Sequence, residues 1–147
     1  MQRNKVKLAA SLFDCIQSVD RESLAAELAK VQKPVSLLLE YRTGEDSKSG
    51  FTGFDELYKT VDLILEHPVL SIRGLMTIAP NTREEGVLRT AFRRLAALRS
   101  DLERRYPARA GCLQWDCLSM GMSGDFEIAI EEGSTMLRIG SAIFSRD

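Results

Sequence analysis

Strict alternation of short apolar runs with helix-patterned stretches constrains this chain more than any other feature. An opening helical stretch covers 4–12, where Leu8 and Leu12 stand four apart. The apolar runs then fall at 13–19, 35–39, 69–79, 113–121 and 136–144. The stretches between them carry apolar residues at helical spacing. The order therefore reads helix, then β-α-β-α-β-α-β-α-β. Such alternation predicts parallel strands, because a parallel neighbour is reached only by a long return path, and a helix supplies one. Val35-Ser36-Leu37-Leu38-Leu39 has the continuous apolar character of a strand covered on both faces.

Punctuation between the runs agrees with this order. Asp20 is placed to N-cap a helix whose Leu24, Leu28 and Val31 recur at helical spacing, and Pro34 stops it. Gly44 to Gly50 reads as a polar loop. Leu57, Val61 and Ile64 mark the next helix, ended by Pro68, and His67 sits where a cation favours a helix C-terminus. Pro80 breaks the third strand region. Thr82-Arg83-Glu84-Glu85 fits a capping box ahead of a stripe formed by Leu88, Phe92, Leu95, Leu98 and Leu102. The arginines on that helix are interleaved with Glu84, Glu85, Asp101 and Glu103, the pattern of a solvated face. Tyr106-Pro107 ends it, and 123–132 reads as a short helix before the fifth run.

Two architectures satisfy a β/α alternation: an open doubly wound sheet, or part of a (β/α)8 TIM-type barrel. A closed barrel takes about 200 residues at the least, and the chain has 147. Neither a linker nor an internal repeat divides it, so 1–147 reads as a single unit. The formal net charge of −1 argues against nucleic acid, whose binding needs a concentrated basic face. No apolar run approaches the roughly 20 residues of a membrane span. The basic N-terminus lacks a secretory pattern, which places the chain in the cytoplasm. Cys15, Cys112 and Cys117 are an odd number with no CxxC spacing, and the chain has one histidine. They read as buried reduced thiols rather than metal ligands.

The closing stretch, LSMGMSGDFEIAIEEGSTMLRIGSAIF from Leu118 to Phe144, is where chemistry is concentrated. Gly121-Met122-Ser123-Gly124 leads into a helix whose free N–H groups favour an anion. Gly140-Ser141 brings further N–H groups within reach, and Ser123 and Ser141 add hydroxyls. Asp125 and Glu127 lie in the same turn and oppose an anion unless they point away. The bland alternative makes Gly121 and Gly140 turn residues and Ser123 a helix N-cap. Arg138 stands among apolar neighbours in the last run, so its charge needs either a carboxylate of the chain or a ligand. Neither a dinucleotide fingerprint nor a P-loop is present.

This closing stretch resembles the C-terminal signature of the pyridoxal-phosphate homeostasis protein family, whose barrel is like that of bacterial alanine racemase. NKVKLAASLFDCIQSVDR, GEDSKSGF and SIRGLMTIAP resemble other segments of it, so the likeness runs from Gln2 to about Phe144. The resemblance implies a partial (β/α)8 barrel of about five parallel strands, an alanine-racemase-N-terminal-type domain with its first strands missing. It implies pyridoxal 5′-phosphate as the cofactor, with its phosphate on Met122, Ser123, Gly140 and Ser141 and its pyridine nitrogen near Arg138. An arginine accepts no proton, so that nitrogen stays unprotonated and the electron sink used by racemases is weakened. The implied role is a non-catalytic carrier of the cofactor.

Two departures bear on that role. The family's Schiff-base lysine belongs to an N-terminal third that has no counterpart here, so binding is expected to be impaired and non-covalent. Lys5 and Lys48 are the substitutes at hand, and both read more simply as surface lysines. The family also carries an asparagine where Tyr41 stands. An incomplete barrel has two open strand edges, which predicts self-association or pairing with a missing piece. The alternative to a cofactor protein is a non-binding fragment or an interaction module.

Overall fold

The computed structural model describes residues 5–44 and 49–145. Five parallel strands form one sheet in the order of the chain: β1 (Cys15–Val19), β2 (Val35–Glu40), β3 (Leu70–Met76), β4 (Leu113–Met122) and β5 (Met136–Arg138). Helix α1 (Val6–Leu12) precedes them. Helices α2 (Glu22–Ala29), α3 (Phe54–Leu65), α4 (Glu85–Arg105) and α5 (Phe126–Glu131) make the crossovers, and α6 (Ser141–Phe144) follows β5. Sequential order with every neighbour parallel is barrel topology. A doubly wound sheet reverses its order at a switch point, and none occurs here.

The sheet curls. Gln17 on β1 takes a hydrogen bond from the Ser119 hydroxyl on β4 at 2.7 Å, and its amide reaches Met136 Sδ on β5 at 3.2 Å. Strands three and four places apart touch this way only across a concave face. The convex face meets the helices and forms the main core: Ile16, Val19, Leu37, Leu39, Ile72, Leu75, Leu118 and Met120 from the strands against Leu24, Leu57, Ile64, Phe92 and Leu95 from the helices. Leu38, Met76 and Cys117 form a separate buried cluster, as alternation along β2 requires of its opposite face. The fold is thus a partial (β/α)8 barrel, with β1 and β5 each paired on one side among the described residues.

The elements differ from expectation in specific places. The fifth strand stops at Arg138, not Phe144, because the Gly140 carbonyl takes the N–H groups of Ile143 and Phe144 at 2.9 and 3.0 Å and winds 141–144 into a helical turn. The capping box at Thr82 does not form. The N-cap of α4 is Glu84, and Thr82 Oγ1 accepts the Glu84 N–H at 3.1 Å, a local turn ahead of the helix. Asp20 does not cap α2 either: the N-cap is Arg21, and Asp20 pairs with its guanidinium at 2.7 Å. The cysteines are all free, but only Cys117 is buried, while Cys15 is exposed. His67 follows the C-cap of α3, as read. Among the described residues no helix is long and apolar enough to cross a membrane, and no group of three His, Cys, Asp or Glu is placed to hold a metal ion.

Candidate functional site

The C-terminal ends of β4 and β5 carry the site. Gly121, near the end of β4, has φ +96°, and a Cβ there would lie 2.6 Å from Ala129 Cβ and 2.9 Å from Leu137 Cδ2. Only glycine lets the strand end pass this close to both α5 and β5. The chain then turns through Met122-Ser123-Gly124-Asp125. Asp125 N–H donates to the Met122 carbonyl at 3.1 Å, and Met122 N–H donates back to Asp125 Oδ1 at 2.6 Å.

That reciprocal pair corrects one expectation. Asp125 does not point away from the turn: its carboxylate occupies the Met122 N–H. Other backbone donors come, as expected from the sequence, from the segment after β5. Gly140 N–H and Ala142 N–H both point at Ser123 Oγ, at 3.3 and 3.1 Å. Ser123 is therefore not a helix N-cap, since α5 begins at Phe126 with Asp125 before it. It joins the turn after β4 to the turn after β5. Ser141 is exposed as the first residue of α6. An added Cβ at Gly140 would meet nothing within 4 Å, so the space beside its Cα is open. A hollow of about 200 Å³, lined by Ile78, Pro80, Met122, Gly124 and Asp125, opens beside the same turn.

Arg138 lies below these turns, at the end of β5. Nη1 donates to the Ser119 carbonyl at 2.8 Å and to the Ser119 hydroxyl at 2.7 Å, and Nη2 donates to the Thr77 carbonyl at 2.7 Å. Among the described residues it forms no ion pair, so the carboxylate partner is not found: neutral oxygens hold it. Burial lowers its pKa from the ordinary arginine value, and the charges of Asp125 and Glu40 act in the opposite direction. Glu40, at the end of β2, is 3% exposed and accepts a hydrogen bond from Ser49. Tyr41 faces α3, stacking on Phe54 with centroids 6.2 Å apart. Lys5 is exposed at the start of α1, and Lys48 lies outside the described residues.

Sequence reasoning named Ser123, Gly140 and Arg138 but missed the groups that fix them. Thr77 is fully buried, and its hydroxyl bonds the Tyr41 carbonyl at 2.8 Å and Thr43 Oγ1 at 2.9 Å. Ser119 carries the link from Gln17 to Arg138. A buried threonine just past the end of β3 and a buried serine on β4 were the available signal.

The chain matches the model of the alanine racemase N-terminal domain over residues 1–146. It is 43% identical over 150 residues to the pyridoxal phosphate homeostasis protein of Vibrio cholerae, covering 98% of this chain and 60% of that protein. It is 38% identical over 150 residues to the protein of the same name from Escherichia coli K12, covering 98% of this chain and 61% of that one. Among solved structures, PipY of Synechococcus elongatus PCC7942 with PLP bound superposes with a TM-score of 0.87 at 30% identity, over 99% of this chain and 67% of PipY. Alanine racemase from Oenococcus oeni, at 16% identity and a TM-score of 0.64 over 97% of this chain and 36% of that one, shares the fold alone. The chain thus spans about three-fifths of the length of the curated relatives it matches.

Proposed function

The chain belongs to the alanine racemase N-terminal domain family, and from that premise we propose that it binds pyridoxal 5′-phosphate as a non-catalytic carrier, gripping the phosphate. The observation that carries this reading is the convergence of Gly140 N–H and Ala142 N–H on one point, Ser123 Oγ, from a separate chain segment. Two backbone donors aimed at one oxygen suit a phosphate oxygen equally well. The space beside Gly140 admits it. Asp125 opposes it in part, because its carboxylate already takes the Met122 N–H. The phosphate is therefore assigned to Ser123, Gly140, Ala142 and Ser141, with Met122 contributing shape rather than its N–H. PipY, similar in fold and sequence, binds PLP.

When bound, this cofactor supplies an electron sink through its ring nitrogen. Arg138 is a cation held on three oxygen contacts, and a guanidinium has no lone pair to receive a proton. A ring nitrogen facing it stays unprotonated, which suits holding the cofactor rather than turning it over. Proton transfer beside the cofactor also needs an acid–base group near the strand ends. Tyr41, the phenol there, stacks on Phe54, and burial raises its pKa from the ordinary phenol value.

The test is a titration of pyridoxal 5′-phosphate followed by visible absorbance, with borohydride reduction and mass spectrometry to find any lysine adduct. Saturable binding lost in Ser123→Ala/Ser141→Ala supports the reading. A folded protein that binds nothing overturns it.

A second reading, an interaction module, is favoured by a separate observation. Leu8, Leu12 and Phe13 are exposed near the β1 edge, and Ile143 and Phe144 are exposed beyond β5. Open parallel edges flanked by apolar side chains invite pairing. Sedimentation that shows a monomer at all micromolar concentrations counts against this reading.

A further inference from the structure

We propose that the recess between the loop after β2 and helix α4 is a second anion site, taking a small molecule that carries a phosphate or carboxylate group. This inference does not rest on the cofactor reading. A cavity of about 400 Å³ lies between Thr43, Gly44, Pro80, Val87, Thr90 and Arg94. A second recess of about 360 Å³ shares Thr43, Gly44 and Arg94 with it and adds Arg42 and Thr52. Both guanidinium groups thus line the second recess, and Arg94 lines the first as well, each within the size range of small-ligand sites.

No carboxylate among the described residues pairs with the charges there. Among the described residues neither Arg42 nor Arg94 forms an ion pair, in contrast to their neighbours on α4. Arg89 is spent on Glu85, Glu131 and Glu132, and Arg93 on Glu132. Arg42 Nε is buried and has no hydrogen-bond partner. A buried, unpaired donor on a cation is costly to keep and calls for an acceptor. Arg42 and Arg94 both line the recess, and an oxyanion there would match the flat, two-pronged geometry of their guanidinium groups.

The walls are fixed before any ligand arrives. Arg42 N–H donates to the Phe51 carbonyl at 3.0 Å, and Arg94 Nη1 donates to the Thr43 carbonyl at 3.2 Å. Thr43 is tied to Thr77 through their hydroxyls at 2.9 Å. Gly44 lies so near Pro80 that a Cβ would overlap its ring, locking the two loops together. Contacts made before binding reduce the freedom that binding must remove.

Inorganic phosphate and succinate, titrated separately into the isotope-labelled chain with amide NMR as the readout, test the proposal. Saturable shifts at Thr43, Gly44 and Thr90 with either anion are expected, and which anion produces them tells phosphate from carboxylate ligands. Arg42→Gln and Arg94→Gln should each weaken that binding by about fivefold or more, as loss of a charge-assisted contact does. Arg94→Lys, which keeps the charge, should weaken it less. Ser123→Ala should leave these shifts in place, so the two sites fail independently. The proposal is overturned if neither anion gives saturable shifts, or if folded Gln variants, checked by their amide spectra, bind as tightly as the parent. It is equally overturned if binding emerges only in Glu45→Gln/Asp46→Asn, which would assign the arginines to those two carboxylates of the chain.

Discussion

Arg138 Nη2 donates to the Thr77 carbonyl at 2.7 Å, reaching from the fifth strand to the end of the third over Ser119 of the fourth. One side chain therefore ties three strand ends together on the concave side. It does so through the Thr77 carbonyl and through the Ser119 carbonyl, which also accepts the Thr77 N–H at 3.1 Å. Arg138→Met should unseat both carbonyls and destabilise the chain by about 2–3 kcal/mol, the scale of losing charged hydrogen bonds at a half-buried site. Urea unfolding measures it. Arg138→Lys should recover part of the loss, because one ammonium cannot span both carbonyls as the fork does. A Met variant as stable as the parent would show that the guanidinium serves a ligand rather than the barrel.

Ser123 works differently, since its hydroxyl oxygen accepts rather than spans. Removing it leaves Gly140 N–H and Ala142 N–H without their acceptor. Ser123→Ala should cost about 1 kcal/mol in the ligand-free chain. If the phosphate also accepts from the Ser123 hydroxyl, as the cofactor reading requires, added pyridoxal 5′-phosphate should raise the melting temperature of the parent more than that of the variant. Equal shifts in the two proteins would place the phosphate elsewhere.

Gly121→Ala tests the strand end that carries the cradle. The new methyl would meet Ala129 and Leu137 at a φ of +96° that alanine avoids. Strain and overpacking act together, and a loss of roughly 2–3 kcal/mol is expected. The damage should be local to α5 and β5. Hydrogen exchange at Ala129 and Leu137 should accelerate before exchange at Leu37 or Leu39 on β2.

Much of this fold was legible because its chemistry is local. Val35 to Leu39 is apolar but for Ser36, because helices cover one face and Leu38, Met76 and Cys117 pack on the other. Pro68 and Pro107 follow closely on the ends of α3 and α4, whereas α2 already ends at Ala29, short of Val31 and Pro34. Caps were less legible. Thr82 and Asp20 have capping chemistry, yet one makes a turn ahead of its helix and the other pairs with Arg21. Short-range acceptors compete for the same groups, and sequence spacing does not rank them. The apolar run from Met136 to Phe144 misled for another reason. A run of that length carries no period that separates strand from helix, and the Gly140 carbonyl decided for a helical turn at Ser141. In the site, Ser123, Gly140 and Arg138 stood out as small or charged residues among apolar ones. Asp125 was recognised, but whether a carboxylate turns toward or away from a turn depends on side-chain torsions that spacing does not contain. The Thr43–Thr77 contact joins residues 34 positions apart, and no local pattern announces it.

The pairing of Glu132 with Arg93 and Arg89 predicts how the chain responds to acid. Arg93 Nε meets Glu132 Oε2 at 2.8 Å, and Arg89 Nη1 meets Oε1 at 2.8 Å, so one carboxylate clamps α4 to the end of α5. Hydrogen bonds from Arg93, then from Arg89, hold the Glu132 carboxyl below the ordinary glutamate range. A carboxylate whose pKa is lower in the folded chain stabilises it above the unfolded-state pKa, and loses that contribution as pH falls through the folded-state pKa. The clamp should therefore be fully present at neutral pH and weaken in acid below the usual carboxylate range. Glu132→Gln should lower stability at neutral pH and flatten the acid limb of the stability curve, with the two proteins converging as pH falls. Urea midpoints measured from neutral to strongly acidic pH give the comparison. Parallel curves would mean that Glu132 titrates alike in the folded and unfolded chain, and that α5 is held to α4 by packing alone.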